Sequence, residues 1–143
     1  MTDNSHSPSF RKDIAKIRST MLGYEGHGIL TVMLDVEYGG GSCQGVGGYG
    51  LDEPRRDDDG KFVGRFGTAF GMEFVCRTMR ACGVERWEDL PGRTIFVLQD
   101  LPEGSSPLGT SRVMGIENLP PEPGERFVFH ELSAEFGLGG PDA

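Results

Sequence analysis

The stretch ILTVMLDVEY, Ile29 to Tyr38, alternates without a break. Leu30, Val32, Leu34, Val36 and Tyr38 fall on one side, and Thr31, Met33, Asp35 and Glu37 on the other. Successive side chains of an extended chain point to opposite faces. Strict period two over this length therefore predicts a half-buried strand. Straight after it comes GGGSCQGVGGYG, Gly39 to Gly50. Glycine weakens a regular ladder and adopts positive φ freely, so a strand entering this run must turn, bend or bulge. Together the two segments call for a sheet of short, interrupted strands.

The rest of the chain fits around them. Ile17, Ser19 and Met21 alternate weakly and predict an earlier strand, joined to the first by the turn GYEGHG. DEPRRDDDGK, Asp52 to Lys61, reads as a charged loop. Thr68 to Cys82 carries Ala69, Met72, Val75, Cys76 and Met79 at helical spacing. Thr68 suits the N-cap, Arg77 and Arg80 suit the last turns, and Gly83 suits the stop. VERWEDLPGR holds at most one helical turn, TIFVLQD and SRVMGI read as strands around an EGSSPLG turn, and RFVFHELSAEF as a last strand or short helix. The expected fold is a single α+β domain, residues 11–137, with an antiparallel meandering sheet and one main helix. Residues 1–10 are expected to form a mobile arm and 138–143 a flexible tail.

With 143 residues the chain can bury a core without metal or disulfide staples. Its net charge of −8 repels phosphate backbones, which argues against a nucleic-acid polymer as partner. Three cysteines with no CxxC pair argue against a disulfide framework and a zinc site. No metal and no cofactor is expected. The opening MTDNSHSPSF lacks an apolar core, so no signal peptide is expected there, and no apolar run approaches a membrane span.

Gly45, Gly47 and Gly50 satisfy G-x-G-x-x-G, but LDEPRRDDDG follows where a dinucleotide fold needs a helix. No Lys-Ser or Lys-Thr follows either, so the run is no P-loop. Two readings remain. One is a glycine-bulged strand. The other is a wall that a flat ligand approaches closely, with Gly47 and Gly48 leaving backbone uncovered, Gln44 offering its amide and Tyr49 its ring. In the second reading these residues meet Arg65 and Thr68 at the start of the helix, with Phe70 in its first turn and Arg77 reaching an anion. Asp35 and Glu37 stand two apart on one strand face, which acid/base chemistry can use and a solvated face produces as readily. His6, His27 and His130 show no metal spacing.

The run MLGYEGHGILTVMLDVEYGGGSCQGVGGYGLD, then GRFGTAFGMEF, then CGVERWEDLPG, resembles a widespread family of small phage and prophage proteins. Its pattern is LGYE-x-HG-I-x-T, GQG-x-GGY-x-LD, GTA-x-G-x-E-F and GV-x-x-WE-x-L. The likeness covers roughly Met21 to Gly92; the C-terminal third matches poorly, and GGSC before Gln44 is extra. The family is identified as the Thoeris anti-defence sponges. The resemblance implies an α+β homo-oligomer in the host bacterial cytoplasm. Such a protein binds a nucleotide immune signal, a cyclic ADP-ribose isomer or a cyclic oligonucleotide, without cleaving it, in pockets near subunit contacts. The phenylalanines Phe127, Phe129 and Phe136 suggest a core that a second copy completes. The acidic charge supports a different expectation, a protein-binding inhibitor of a restriction or CRISPR effector.

Overall fold

The computed structural model describes residues 10–100, 112–119 and 125–138. Within them lie β1 (Arg11–Tyr24), β2 (Leu30–Tyr38), β3 (Cys43–Gly50), β4 (Asp52–Arg56), β5 (Phe62–Gly67), α1 (Ala69–Cys82), β6 (Thr94–Gln99), β7 (Val113–Glu117), β8 (Arg126–Val128) and α2 (Phe129–Glu135). One sheet has the order β3-β2-β1-β6-β7-β8 and every described pairing is antiparallel. The fold is α+β, with α1 as its main helix.

The alternation of β2 sets the core. Val32, Leu34 and Val36 are buried with Ile17 of β1, Val46 of β3, and Ile95 and Val97 of β6. β3 and β7 stand four places apart in the sheet, yet their backbones approach within 8 Å, so the sheet curls strongly. α1 and α2 pack against β7 and against each other. Such curling needs local breaks in the ladder. One is at Arg18, which the β1–β2 register skips; another is in β3, where Val32 pairs with Tyr49 and Met33 with Gly47. Gly48 is the extra residue, and Gly47 and Gly48 have φ of 111° and 83°. That is a glycine bulge.

α1 starts and stops where its caps dictate. Thr68 Oγ1 accepts the Gly71 N–H at 2.9 Å, and Gly83 ends the helix in the left-handed region at φ 72°. Its buried face is Phe70, Gly71, Phe74, Thr78, Ala81 and Cys82. The spacing of Ala69, Met72, Val75, Cys76 and Met79 pointed elsewhere, and Met72 is in fact 65% exposed. Both sets have helical period; the two phenylalanines carry more apolar area, and they take the core. Gly71 is required by contact as well. A Cβ there would stand 2.2 Å from the Leu51 carbonyl oxygen, which already accepts from the Thr68 N–H and hydroxyl.

Two local readings change. The charged segment Asp52–Lys61 is not a loop throughout: its first half is β4, which pairs with β5 in a two-stranded arm. With no core face to fill, β4 shows no apolar alternation, and Pro54 is tolerated because the arm has only two strands. RFVFHELSAEF is both a strand and a helix, dividing between Val128 and Phe129. The single helical turn in VERWEDLPGR is present at Trp87–Asp89. The EGSSPLG turn and most of the Pro-rich loop lie outside the described residues, as do the arm up to residue 9 and the tail beyond Leu138.

The suggestion that Phe127 and Phe129 await a second copy is also corrected. Both are 3% exposed, because their own chain covers them: each packs on Phe74, at 4.9 and 5.2 Å between ring centroids. No described helix is long and apolar enough to cross a membrane.

Candidate functional site: an aromatic cleft at one end of β3

Where β3 passes into β4, a cleft of about 560 Å³ opens. Its size falls within the range of small-molecule sites. Tyr49 and Phe70 line its aromatic side, with ring centroids 6.2 Å apart, and Phe136 stands edge-on to Phe70 at 6.1 Å. The β4–β5 arm contributes Asp52, Glu53 and Arg55; the end of α2 and the residues after it contribute Ser133, Phe136 and Leu138. Thr68 and Ala69 bring the start of α1 to the same space.

The first turn of a helix leaves N–H groups without intrahelical partners. Thr68 satisfies that of Gly71, while those of Ala69 and Phe70 belong to residues lining the cleft. The helix dipole adds a positive potential there. Arg55 lies over the Phe66 ring, its guanidinium carbon 4.4 Å from the centroid, and faces the same cleft. The arrangement offers ring faces for a planar group, and the α1 N-terminus and Arg55 for an anion, with the Glu53 carboxylate lining the same space.

Asp52 fixes the arm. It accepts from Arg65 Nε at 3.1 Å and Nη2 at 2.9 Å, and from the Leu30 N–H at 3.1 Å. The Arg65 hydrogen bonds hold its carboxyl below the usual carboxylate range despite opposing desolvation. Burial pushes the Tyr49 phenol up. Among the described residues, no three His, Cys, Asp or Glu side chains gather as a metal site. Asp35 pairs with Arg18 at 2.7 Å, and Glu37 lies on the same sheet face.

The expected site residues divide. Tyr49, Thr68 and Phe70 line the cleft, and Arg65 stands behind it, positioning Asp52. Gln44 does not join them. It sits five residues from Tyr49 along an extended strand, roughly 16 Å at 3.3 Å per residue. Gly47 and Gly48 are not a ligand wall there either. A Cβ on Gly47 would meet the Val32 carbonyl oxygen at 3.0 Å, and one on Gly48 would meet Met33 Cε at 3.3 Å, on the sheet face opposite the core. Arg77 is committed elsewhere: its Nε donates to Glu73 at 3.0 Å and its terminal nitrogens to Glu135 at 2.9 and 2.8 Å. These partners raise its pKa further.

Sequence reasoning missed Glu53, Arg55, Ser133, Phe136 and Leu138. Leu132 and Phe136 stand four apart, a helical signal that a strand-or-helix reading left unused. Arg55 was hidden in the segment read as a loop. No protein-family model, no curated protein and no solved structure matches this chain.

Proposed function

We propose that the chain is a phage-encoded anti-defence protein that captures a nucleotide immune signal in the aromatic cleft and does not cleave it. The observation that carries this reading is the convergence of three rings, the α1 N-terminus and Arg55 on one space of about 560 Å³. In this reading an adenine packs on Phe136 and Phe70. A phosphate takes the N–H groups of Ala69 and Phe70 and the Arg55 guanidinium. Asp52 serves the arm's geometry, since Arg65 and Leu30 already occupy it. The signal is a cyclic ADP-ribose isomer or a cyclic oligonucleotide, held in the host cytoplasm by a homo-oligomer.

The test is retention. Purified protein is incubated with cyclic ADP-ribose isomers and cyclic oligonucleotides, separated from free ligand, heated, and the released material is chromatographed. The reading expects one nucleotide returned intact. No retained nucleotide, or a cleaved one, removes it.

A second reading has its own support. The β4–β5 arm exposes Phe62, Val63 and Phe66, at 51%, 53% and 43%. An exposed apolar arm suits a protein partner, as an acidic inhibitor of a restriction or CRISPR effector needs. Recovery of such an effector from host lysate by the parent, and its loss with Phe62→Ser, distinguishes this reading from the first.

A further inference from the structure

At the opposite end of β3, three neutral polar side chains from three strands meet. The Tyr38 hydroxyl of β2 donates to Gln44 Oε1 of β3. Gln99 Nε2 of β6 donates to the Tyr38 hydroxyl oxygen at 3.0 Å and to Gln44 Oε1 at 3.2 Å. Gln99 is the inner member at 2% exposure, while Tyr38 and Gln44 are half-buried.

The Gln99 carbonyl oxygen is buried and accepts from no group among the described residues. Turning the amide over does not repair this. Nε2 would then occupy the unmatched position and need an acceptor, and Oε1 would face Gln44 Oε1 unless that amide also turned. Among the described residues, either assignment leaves one polar position unpaired. Buried polar groups are nearly always satisfied, and an unmatched one is costly. An apolar side chain of similar length would fill the same space without that cost. A glutamine here calls for a partner that the described residues do not supply.

The surroundings show what kind. Arg11 Nε and Nη2 both donate to Asp13 Oδ2, at 3.2 and 2.8 Å, and Arg11 is the backbone partner of Gln99 across β1 and β6. Burial, and then the Asp13 charge, push the Tyr38 phenol up to about 12, so it stays a neutral donor. The cluster is thus an amide–phenol–amide set beside a carboxylate already neutralised by Arg11. Glutamine amides pair with an edge that offers a donor beside an acceptor, as the amino edge of adenine does.

We propose that Tyr38, Gln44 and Gln99 form a second binding site, separate from the cleft, for a small neutral ligand presenting an N–H donor beside an acceptor: a primary amide or the amino edge of a nucleobase. Gln99 Oε1 accepts the ligand's N–H, and the Gln44 amide meets the adjoining acceptor.

The probe is adenine, titrated into the full chain by ligand-observed NMR, against 6-dimethylaminopurine, which lacks the exocyclic N–H. Adenine should bind, and the dimethyl analogue should bind at least about tenfold more weakly. Gln99→Met, of similar length and apolar, should weaken adenine by about the same factor. Gln44→Ala, at a half-buried position, carries the same expectation and serves if Gln99→Met does not fold. No adenine binding overturns the proposal, leaving the orphan to a resident water. Equal binding of the two purines overturns it, as does full affinity in the folded glutamine variants. Loss of adenine in Phe136→Ala but not in these variants places the purine in the aromatic cleft and also overturns it.

Discussion

The two ends of β3 solve different problems. At the Tyr49 end, rings from β3, α1 and β8–α2 pack on one another; Tyr49 lies 5.0 Å from Phe74 and 5.4 Å from Phe129 between centroids. At the Gln44 end, the same concave side closes with amides and a phenol, one of whose acceptors is unmatched among the described residues. The Gly47–Gly48 bulge lies between them. An unbroken strand of period two would send Gln44 and Tyr49 to opposite faces, since they stand five apart. The extra residue at Gly48 restores both to the inner side. The glycines are therefore structural, and their effect is to give one strand two inward-facing ends of contrasting chemistry.

Substitutions at the two ends should have different effects. The largest effect is expected at the aromatic one. Phe74→Ala removes the ring that touches Tyr49, Phe70, Phe127 and Phe129, and should cost about 4 kcal/mol in urea unfolding. A loss below about 1 kcal/mol would mean the rings do not act as one core. Gly71→Ala comes next. Its methyl meets the Leu51 carbonyl, so α1 must shift from the β3–β4 corner, at about 2–3 kcal/mol. The same denaturation series checks it, and an unchanged midpoint would show that the corner is not tight.

The amide end should show itself in alkali. The folded Tyr38 phenol keeps its proton until about 12. The unfolded one releases it near 10. Its stabilising contribution is complete below about pH 10 and is lost as pH rises toward 12, because there the unfolded chain binds fewer protons. Tyr38→Phe should cost about 1 kcal/mol at neutral pH for the lost hydroxyl contacts. It should also flatten the alkaline decline, measured as thermal midpoint against pH. An identical slope in parent and variant would sink that assignment. Smallest in stability is Phe136→Ala. Phe136 is 39% exposed, so its removal should cost less than about 1 kcal/mol while abolishing nucleotide retention in the cleft.

Much of the fold was legible because its signals are local. Period two placed β2, Thr68 and Gly83 placed the ends of α1, and the failed fingerprint already allowed a glycine bulge. The arm was illegible because a two-stranded hairpin in water writes no apolar alternation. The buried face of α1 was illegible because two helical stripes coexist, and only the packing of Phe70 and Phe74 chooses between them. For the site, Tyr49, Thr68 and Phe70 could be found because a strand end and a helix start are neighbours in sequence. Arg55 and Phe136 could not, since their meeting depends on how the arm and α2 return to that corner. Gln44 was noticed for its amide, but its partners Tyr38 and Gln99 come from strands whose register no local pattern reveals.

In the proposed function the aromatic end of β3 is the nucleotide site. The decisive measurement is a crystal structure of the protein soaked with whichever cyclic nucleotide it retains. The base should lie against Phe136 and Phe70, with a phosphate at the N–H groups of Ala69 and Phe70 beside Arg55. A nucleotide bound only at the Gln44 end, only on the outer face of the arm, or at no site on the chain would rule this out.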